Sequence, residues 1–558
     1  MSRILVIGGY GGFGMRLARR LAEAGHTIVV AGRSEAKAAA FAATLPGAAE
    51  AAHVDRGGDV AAALARCRPD LVIDAAGPFQ GSRRQVPEAC IVAGIPYLDL
   101  ADARDFVTGI GALDHAARTR GVAIVSGAST APALTSAVAA ELARGLDRVE
   151  SVDIALSAAN RAGDGESVVA AVLSWVGQPL SLWRGGRWTR AWGWQEMRRE
   201  DFVLTDGTAL RGRVVALADL PDCAILPDLL PGRPSVAFRA GTELGFQMIA
   251  LWLMSWPVRW GWIRSLAGAA RWLLPLHRLT GRIGGLRSAM SITLTGRRGG
   301  ERVERRWTIV AEEGDGLHIP TLAAALLAED ALAGRLAPGA YDAAGLLDFA
   351  RFEPAFAALA VRHETVERIL ARPTYARILG PAFDTLPPAV RALHDIGRHA
   401  AAEGQGTVTR GRNPVTRLVG AAMRFPPTGT YPLRVDFAER GGAERWTRDF
   451  GGHRFASTLS GSGDRVVERF GPLRFLFDLP AGPQGLSMHL ARWTFLGIPL
   501  PLAFAPRIRA REWQDEQGRF RFEVAVALPL AGDIVRYSGW LVPTGAEGAC
   551  PVPKELAA

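Results

Sequence analysis

Short apolar runs alternate with longer amphipathic runs over the first 130 residues of this 558-residue chain. The apolar runs predict strands at 3–7, 27–31, 51–55, 70–75, 95–98 and 121–125. The amphipathic runs predict helices at about 12–25, 34–44, 58–67, 82–93 and 103–119. Strands that alternate with helices indicate a doubly wound parallel sheet with helices on both faces. We therefore expect a ligand crevice at the carboxyl ends of the strands.

A glycine-rich turn follows the first predicted strand, with Gly9, Gly11 and Gly14 at the G-x-G-x-x-G spacing. Gly12 and Phe13 complete the loop. Glycines at this spacing allow a tight turn, close approach of backbone to a diphosphate, and close packing of helix on strand. The helix then presents free N–H groups to the phosphates. An ordinary glycine turn is the alternative, but the strand before the loop and the helix after it favour a Rossmann dinucleotide-binding domain.

The second predicted strand ends in Gly-Arg-Ser, where Arg33 takes the place of the acidic residue that an NAD site uses for the ribose 2′-OH. A guanidinium suits a 2′-phosphate, which a carboxylate would repel. Ser34 adds a hydroxyl and is also a candidate helix N-cap. We therefore predict NADP(H) as cofactor, with a solvated surface arginine as the alternative for Arg33. Asp55, after the third strand, is expected near the adenine or at a helix cap.

Residues 131–350 predict an α+β substrate domain with a mainly antiparallel sheet. It contains a strand at 149–157, another at 236–240, and a hairpin of 289–295 with 302–311. A linker is expected at 351–375. Residues 376–545 begin with a predicted helix at 386–402 and continue as short alternating runs such as 520–528. They predict a β-rich domain, either an antiparallel barrel or a strongly curved sheet.

The charge of the chain is concentrated in its middle. The formal net charge is +10, and residues 184–310 hold 20 Arg against 10 Asp plus Glu, a surplus equal to the whole net charge. This pattern indicates an anionic partner such as a lipid headgroup or an acidic substrate. No nucleic-acid recognition motif accompanies it, so nucleic acid is not expected. Four scattered cysteines without a C-x-x-C pair indicate no metal site and favour a cytoplasmic setting.

A tryptophan-rich segment at 244–276 follows its own pattern. Trp252, Trp256 and Trp260 are spaced four residues apart and so share one helix face. The longest charge-free run, 244–258, would reach about 22 Å, which is short of the roughly 30 Å hydrocarbon layer. Tryptophans flanked by arginines suit a bilayer interface, so residues 244–287 are a candidate surface for peripheral docking on an anionic membrane. A helix buried in the substrate domain, or at a homodimer seam, is the alternative.

Three predicted strands of the first domain end in polar or glycine-rich residues: 75–79, 97–102 and 126–130. Their shared position at one sheet edge makes them site candidates. We expect Ala76, Gly77, Pro78 and Phe79 to line the nicotinamide side of the cofactor site, with a simple turn as the alternative.

The order of the glycine loop, Ala-Gly-Arg at 31–33, Ala-Gly-Pro-Phe at 76–79 and Tyr-Leu-Asp at 97–99 resembles the saccharopine dehydrogenase-like family. That family includes saccharopine reductases and trans-acting enoyl reductases. The resemblance covers roughly residues 1–350 and implies NADP-linked hydride transfer. From about 374 to 545 the chain resembles a C-terminal domain of unknown function, which implies no activity. One departure is Ala101-Asp102, where the family commonly has a Gly-Glu pair.

Tyr97, Asp99 and Asp102 are the candidate catalytic residues, because they could relay a proton or orient a substrate amine. A hydrogen-bonded loop is the alternative for all three. The sequence thus predicts an NADP(H)-dependent oxidoreductase that acts on a hydrophobic, lipid-like small molecule. The alternative function is a non-catalytic sensor or scaffold that binds NADP(H) and a membrane.

Overall fold

The computed structural model describes residues 1–161, 166–269, 280–281, 283–395, 397 and 399–544. These residues form two compact units. The first comprises 1–183, 188–294 and 304–368, and the second comprises 184–187, 295–303 and the chain from 369 onward.

Sixteen strands among the described residues lie wholly or mostly in the first unit. They are β1 (Arg3–Ile7), β2 (Thr27–Gly32), β3 (Ala49–His53), β4 (Leu71–Asp74), β5 (Tyr97–Asp99), β6 (Ala123–Ser126), β7 (Arg148–Ser157), β8 (Pro179–Arg184), β9 (Arg187–Trp192), β10 (Arg198–Val203), β11 (Ala209–Leu217), β12 (Ser235–Gly241), β13 (Ser288–Arg298), β14 (Glu301–Ala311), β15 (Gly339–Asp342) and β16 (Val361–Ile369).

Its helices follow the strands in alternation over the first third of the chain. They are α1 (Gly12–Glu23), α2 (Glu35–Ala42), α3 (Val60–Cys67), α4 (Gln85–Ala93), α5 (Arg104–Thr108), α6 (Asp114–Arg120), α7 (Thr135–Ala143), α8 (Glu166–Ser174), α9 (Asp222–Leu229), α10 (Gly245–Arg259), then Ile319–Leu332 and Glu353–Ala357. The predicted helix at 103–119 is broken into α5, a 3-10 turn at Gly109–Leu113, and α6.

The first sheet has seven strands in the order β15-β6-β5-β4-β1-β2-β3. Every neighbouring pair is parallel. The central strand β1 is buried, as are β2 and β4, because helices cover both faces of a parallel sheet. The predicted Rossmann fold is therefore confirmed. The sequence pattern missed β15, which returns to this sheet from residues 339–342 and pairs with β6.

The second sheet of this unit has the order β10-β11-β12-β7-β13-β14-β16, and β8 pairs with β9 separately. Strands β10 to β12 are antiparallel neighbours, whereas β12 and β7 are parallel. The prediction of a linker at 351–375 is wrong, because it contains the helix Glu353–Ala357 and the edge strand β16. Most of β16 is exposed and charged, which is how edge strands avoid further pairing and why the segment reads as a linker.

The second unit is a closed antiparallel barrel. Ten strands form the barrel wall: β17 (His399–Arg410), β18 (Gly429–Arg440), β19 (Ala443–Phe450), β20 (His453–Ser462), β21 (Arg465–Phe470), β22 (Leu473–Asp478), β24 (Gly485–Phe495), β26 (Arg507–Gln514), β27 (Phe520–Leu528) and β28 (Gly532–Pro543). Two short strands, β23 (Ala481–Gly482) and β25 (Ile498–Leu500), pair with β24. Pairing of β22 with β24 closes the ring, which confirms the predicted barrel.

Three helices accompany the barrel, at Thr374–Leu379, Pro388–His394 and Pro414–Ala422. The predicted helix at 386–402 is correct only as far as His394. Residues 399–402 instead begin β17, which pairs with β18 on one side and β28 on the other. Two ladders of backbone hydrogen bonds override the helix propensity of its Ala-Ala-Ala run.

Candidate functional site

The turn after β1 is held by backbone hydrogen bonds to β2. Gly8 and Gly9 both donate their N–H groups to the carbonyl of Ala31, at 2.8 and 3.1 Å, and Gly11 donates to the carbonyl of Gly8 at 2.8 Å. Gly8 has φ of 75°, in the left-handed region that favours glycine. The turn therefore delivers the chain directly from the sheet edge into α1.

Two glycines of the loop are required by close packing and one is left open. A Cβ atom at Gly14 would lie 2.1 Å from the Gly8 carbonyl oxygen, and one at Gly9 would lie 2.8 Å from the Val6 carbonyl oxygen. A Cβ at Gly12 would meet nothing within 4 Å. The N–H groups of the first helical turn have no partner within the helix. Gly12 and the half-buried Phe13 thus begin a helix end that is open to an anion.

The end of β2 lies against the glycine loop. Arg33 is exposed directly after β2, and the Ser34 hydroxyl accepts a hydrogen bond from the Lys37 N–H at 3.4 Å, so the predicted N-cap role of Ser34 is confirmed. The Ser34 N–H donates to the Tyr10 hydroxyl at 3.0 Å. The Tyr10 ring packs over Gly32, where a Cβ would come within 2.5 Å of it. Tyr10 therefore fixes the loop to the segment that carries Arg33.

Asp55 lies in the exposed turn after β3. Its Oδ1 accepts the Gly57 N–H at 3.0 Å. The helix cap at this place is instead Asp59, whose Oδ1 accepts the Ala62 N–H at 2.9 Å. The capping alternative for Asp55 is therefore wrong, and its place near the adenine stays a prediction.

The end of β4 is built around a buried ion pair. Asp74 is fully buried, and its Oδ2 lies 2.8 Å from Nε of Arg56, while its Oδ1 accepts the Ala76 N–H at 3.0 Å. Burial raises the pKa of Asp74 to about 7, against the opposing effect of Arg56. Arg56 also donates to the Ala76 carbonyl and lies 4.5 Å from the centre of the Phe79 ring. These contacts fix the 75–79 turn.

Only some of the residues at 75–79 that were predicted to line the cofactor site are exposed. Gly77 and Pro78 are exposed, whereas the Phe79 side chain is 3% exposed and packs against Phe106 with ring centres 5.2 Å apart. The expectation that the Phe79 side chain lines the nicotinamide side is therefore corrected, because its ring belongs to a buried cluster. The turn touches the glycine loop, since a Cβ at Gly8 would lie 2.9 Å from the Ala76 Cα.

Asp99 joins the ends of β5 and β6. It is fully buried, and its Oδ1 accepts the N–H groups of Gly127 (2.7 Å) and Ala101 (3.0 Å) and the hydroxyl of Ser126 (3.0 Å). Burial raises the pKa of Asp99 to about 6, with these hydrogen bonds opposing the shift. Tyr97 is also fully buried on the same strand, and burial raises the pKa of its phenol well above the usual value. Both residues hold the edge in place.

Asp102 differs from these two because it is partly exposed. Its Oδ1 accepts a hydrogen bond from the Gln80 side-chain amide at 3.2 Å, which joins the loop after β5 to the 75–79 turn. Burial of part of the side chain raises the pKa of Asp102. Of the three predicted catalytic residues, Asp102 is thus the one that can meet a bound molecule, and the catalytic role of all three stays a prediction.

The loop after β5 is also tied to the second sheet of the same unit. Arg104 pairs with Asp219 (Nη2 to Oδ1, 2.6 Å) and donates to the carbonyl of Ser181 at 2.7 Å. Burial raises the pKa of Asp219 to about 6, although Arg104 opposes the shift. Asp222, at the start of α9, is fully buried, and burial raises its pKa to about 6 as well. Arg104 therefore ties the loop after β5 to the segments that carry Ser181 and Asp219.

Sequence comparison assigns the two ends of the chain to families. Residues 4–144 match the family described as "Saccharopine dehydrogenase NADP binding domain". Residues 386–541 match a domain of unknown function, DUF4166. No curated protein matches the sequence.

Two solved structures illustrate what the chain is similar to. Saccharopine dehydrogenase (L-Glu forming) from Saccharomyces cerevisiae is 12% identical over 66% of this chain and 100% of its own, with a TM-score of 0.46. Amine dehydrogenase from Mycobacterium smegmatis is 11% identical over 62% of this chain and 95% of its own, with a TM-score of 0.35. Both TM-scores lie under 0.5.

The residues present fit the cofactor that the NADP-binding domain takes. The open first turn of α1 offers N–H groups to a diphosphate, and the exposed Arg33 guanidinium suits a 2′-phosphate. The predicted cofactor is confirmed by the family of the domain: the chain is an oxidoreductase that uses NADP(H). Among the described residues, no group of three His, Cys, Asp or Glu side chains is placed to hold a metal ion.

Sequence reasoning missed three residues that build this edge: Tyr10, Arg56 and Arg104. Tyr10 lies inside the glycine motif, and the motif defines a role for its glycines but none for the residue between them. Arg56 and Arg104 act through partners that are distant in sequence, Asp74 and Asp219. One signal was available for Asp74, since an acidic residue closing an apolar strand must find a partner when it is buried.

Proposed function

We propose that this oxidoreductase transfers hydride between NADP(H) and a hydrophobic, acyl-bearing small molecule at the carboxyl edge of the first sheet. One observation carries the proposal. The open helix end at Gly12 and the exposed Gly77–Pro78 turn lie at the same edge, in contact through Gly8 and Ala76. A cofactor held by the first is thereby placed to extend along the second, next to Asp102.

The chemistry divides between the cofactor and the chain. Bound NADPH supplies a hydride, or NADP⁺ accepts one, which no side chain can do. The backbone N–H groups of Gly12 and Phe13 hold the diphosphate, and Arg33 holds the 2′-phosphate. Gly77 and Pro78 offer a surface without charge. What remains for the protein is to orient the substrate and to hold the proton that accompanies the hydride.

Asp102 is the proposed proton-carrying group. Burial raises its pKa above that of an ordinary aspartate, and the Gln80 amide fixes the direction of the carboxyl. Asp99 is a positioning residue in this proposal, because it is buried and its carboxylate accepts the Ala101 N–H of the loop that carries Asp102. Tyr97 is buried on the same strand and is given a positioning role as well.

The hydrophobic substrate class is supported by the composition of the substrate domain. Large apolar side chains stay exposed on α10 and on the turn that follows it, and arginines accompany them. Such a surface suits molecules with an acyl chain and an anionic end better than it suits a free amino acid.

The test is NADPH oxidation by the full chain with a panel of acyl-bearing enones and imines. We expect turnover with some member, and a fall in kcat of about 100-fold or more in Asp102→Asn with NADPH affinity unchanged. The control is Asp105→Asn, an exposed carboxylate three residues away, which should keep kcat. Equal activity in Asp102→Asn would remove that residue from the mechanism. NADPH binding without turnover across the panel would favour the sensor or scaffold.

A further inference from the structure

Helix α10 leaves one apolar face uncovered. The face is formed by Phe246, Ile249, Leu253 and Trp260, which are 55, 51, 57 and 55% exposed. At 100° per residue these positions fall in one stripe along the helix. Exposed aromatic and aliphatic side chains that share a stripe are unusual on the surface of a soluble protein and mark an interaction site.

The opposite face of the same helix is firmly packed. Met248, Leu251, Ser255 and Val258 are buried, and Met248 and Leu251 belong to a cluster with Trp194. The hydroxyl of Ser255 accepts a hydrogen bond from the Gln195 amide. The orientation of α10 is therefore set by its inner face, so the outer stripe is apolar without being needed for the core.

The stripe continues into the turn after the helix. Trp262 is 74% exposed and Ile263 is 42% exposed, and the N–H of Trp262 donates to the carbonyl of Pro257 at 2.9 Å. Trp256, Trp260 and Trp262 form successive ring contacts, with centres 5.4 and 5.0 Å apart. The α10 face is defined as Phe246, Ile249, Leu253, Trp260, Trp262 and Ile263.

The segment 244–300, which contains this face, carries only positive charge in its sequence, although Arg287 and Arg297 are paired with Glu312 and Asp395. From 244 to 300 the sequence contains no Asp or Glu and eight arginines, at 259, 264, 271, 278, 282, 287, 297 and 298. The Arg259 guanidinium lies 5.0 Å from the centre of the Trp256 ring, beside the stripe, and Arg264 is exposed just beyond it. An apolar stripe bordered by cations is complementary to a surface with an apolar interior and anionic headgroups.

We propose that the α10 face docks on the surface of a bilayer that contains anionic phospholipids. Tryptophan rings settle at headgroup level, the aliphatic side chains enter the acyl boundary, and the arginines meet phosphates. The helix lies in the plane of the interface. In the described part of the chain, no helix has the length and hydropathy of a membrane-spanning segment.

The one-sided charge also argues against a second copy of the chain as the occupant. Two copies paired through this face would bring Arg259 and Arg264 of each copy together, and residues 244–300 contain no acidic residue to pair with them. Like charges across an interface oppose association. When the arginines bind an anionic membrane surface instead, counterions are released from both the protein and the lipid headgroups, which favours association.

The experiment is co-sedimentation of the full chain with vesicles, scored without any enzymatic readout. Vesicles of phosphatidylcholine alone are compared with vesicles containing about 30% phosphatidylglycerol, at about 0.05 M and about 0.5 M salt. We expect binding to the anionic vesicles at low salt and at least a tenfold weaker partition at high salt or on neutral vesicles.

Two variants keep the test specific. Leu253→Glu places a charge in the stripe and should weaken partition at least tenfold. Leu418→Glu, on the helix Pro414–Ala422, changes a leucine elsewhere that is 72% exposed and should leave partition unchanged. NADPH fluorescence and the mass in solution confirm that both variants are folded.

Three outcomes would overturn the proposal: no sedimentation with anionic vesicles, equal weakening in both variants, or a dimer in solution that Leu253→Glu dissociates. The last would assign the α10 face to a second copy. None of these outcomes bears on NADPH binding, so the proposed function is tested separately.

Discussion

Three strands of the first sheet end on an aspartate that is used in the same way. Asp74, Asp99 and Asp342 are the last residues of β4, β5 and β15, and Oδ1 of each accepts the N–H two residues further on, at 3.0 Å. This Asx turn satisfies backbone groups where the ladder stops and sets the direction of the following loop. The loops that form the candidate site are therefore positioned by carboxylates rather than by long-range packing alone.

The role of these aspartates is best tested at Asp99, because its carboxylate accepts three hydrogen bonds. Asp99→Ala leaves two buried N–H groups and a hydroxyl without their acceptor, so the free energy of unfolding of the first unit should fall by about 2–4 kcal/mol. Asp99→Asn keeps an oxygen at the same place and should cost less than the alanine variant.

Urea denaturation of the three proteins measures the difference, with the exposed Asp105→Ala as control. Equal stability of Asp99→Ala and the parent chain would contradict the assigned contacts. The asparagine variant also tests the mechanism, because lower turnover with unchanged NADPH affinity is expected if Asp99 positions the loop that carries Asp102.

We expect Arg33 to decide between the two nicotinamide cofactors. Arg33→Ala removes the cation proposed for the 2′-phosphate, so the dissociation constant for NADPH should rise about tenfold or more while that for NADH changes little. Arg66→Ala, an exposed arginine at the far end of α3, is the matched control and should change neither. Fluorescence titration of the parent chain and both variants with NADPH and with NADH measures the six dissociation constants. Equal affinities for NADPH and NADH in the parent chain would show that Arg33 is an ordinary surface residue.

Asp222 predicts a direction of pH dependence. Its pKa is raised to about 6, so between about pH 4 and pH 6 the folded chain keeps a proton that the unfolded chain has lost. The contribution of the carboxyl to stability is therefore full below about pH 4 and is lost as the pH rises through 6.

The difference in unfolding free energy between the parent chain and Asp222→Asn should fall by roughly 2–3 kcal/mol from pH 4 to pH 7. Denaturation of both proteins at several pH values measures it, and taking the difference cancels the other titrating groups. A difference that is constant, or that grows with pH, would contradict the burial of this carboxyl.

At the scale of elements, two glycines at the start of α1 are expected to have different roles. Gly14 is needed for packing, whereas Gly12 is needed for cofactor binding. Gly14→Ala would place Cβ 2.1 Å from the Gly8 carbonyl oxygen, so it should destabilise the domain and lose NADPH binding together. Gly12→Ala meets nothing within 4 Å, so it should leave the unfolding midpoint unchanged and weaken NADPH at least tenfold.

Thermal unfolding without cofactor and NADPH titration, on both variants, check this pair. Full NADPH affinity in Gly12→Ala would place the diphosphate elsewhere than the open end of α1.

The elements that could be predicted from sequence are those with strong local periodicity. Strands β1 to β6 and the barrel strand β27 fall where alternation or apolar runs place them, and the six parallel strands then imply the crevice. Strand β15 has four residues and joins the sheet from more than 200 residues away, so nothing local indicates it. Strand β16 and the start of β17 were misread because pairing partners, not propensity, decide them.

The candidate site, like the fold, could be predicted only in part from the sequence. The glycines, Arg33 and the Gly77–Pro78 turn follow from position along the chain. The inward direction of Phe79 does not, since it depends on Phe106, which is 27 positions away. The ion pairs of Arg56 and Arg104 depend on packing between elements, and a single sequence carries no record of such contacts.

At the scale of the whole molecule, the chain combines an NADP-binding domain of known type with a closed barrel whose family has no assigned function. The net charge of +10 equals the arginine surplus of residues 184–310, the segment that includes α10. Cofactor chemistry and surface attraction are thus carried by different parts of the sequence. Variants in one should leave the other intact, so NADPH binding and vesicle binding can fail independently.

The central claim is that the amino-terminal loop and Arg33 hold NADP(H), and calorimetric titration of the full chain tests it most directly. We predict saturable uptake of one NADPH per chain, with NADH bound at least tenfold more weakly. Absence of a heat of binding for both NADPH and NADP⁺, with the chain shown to be folded, would contradict the account.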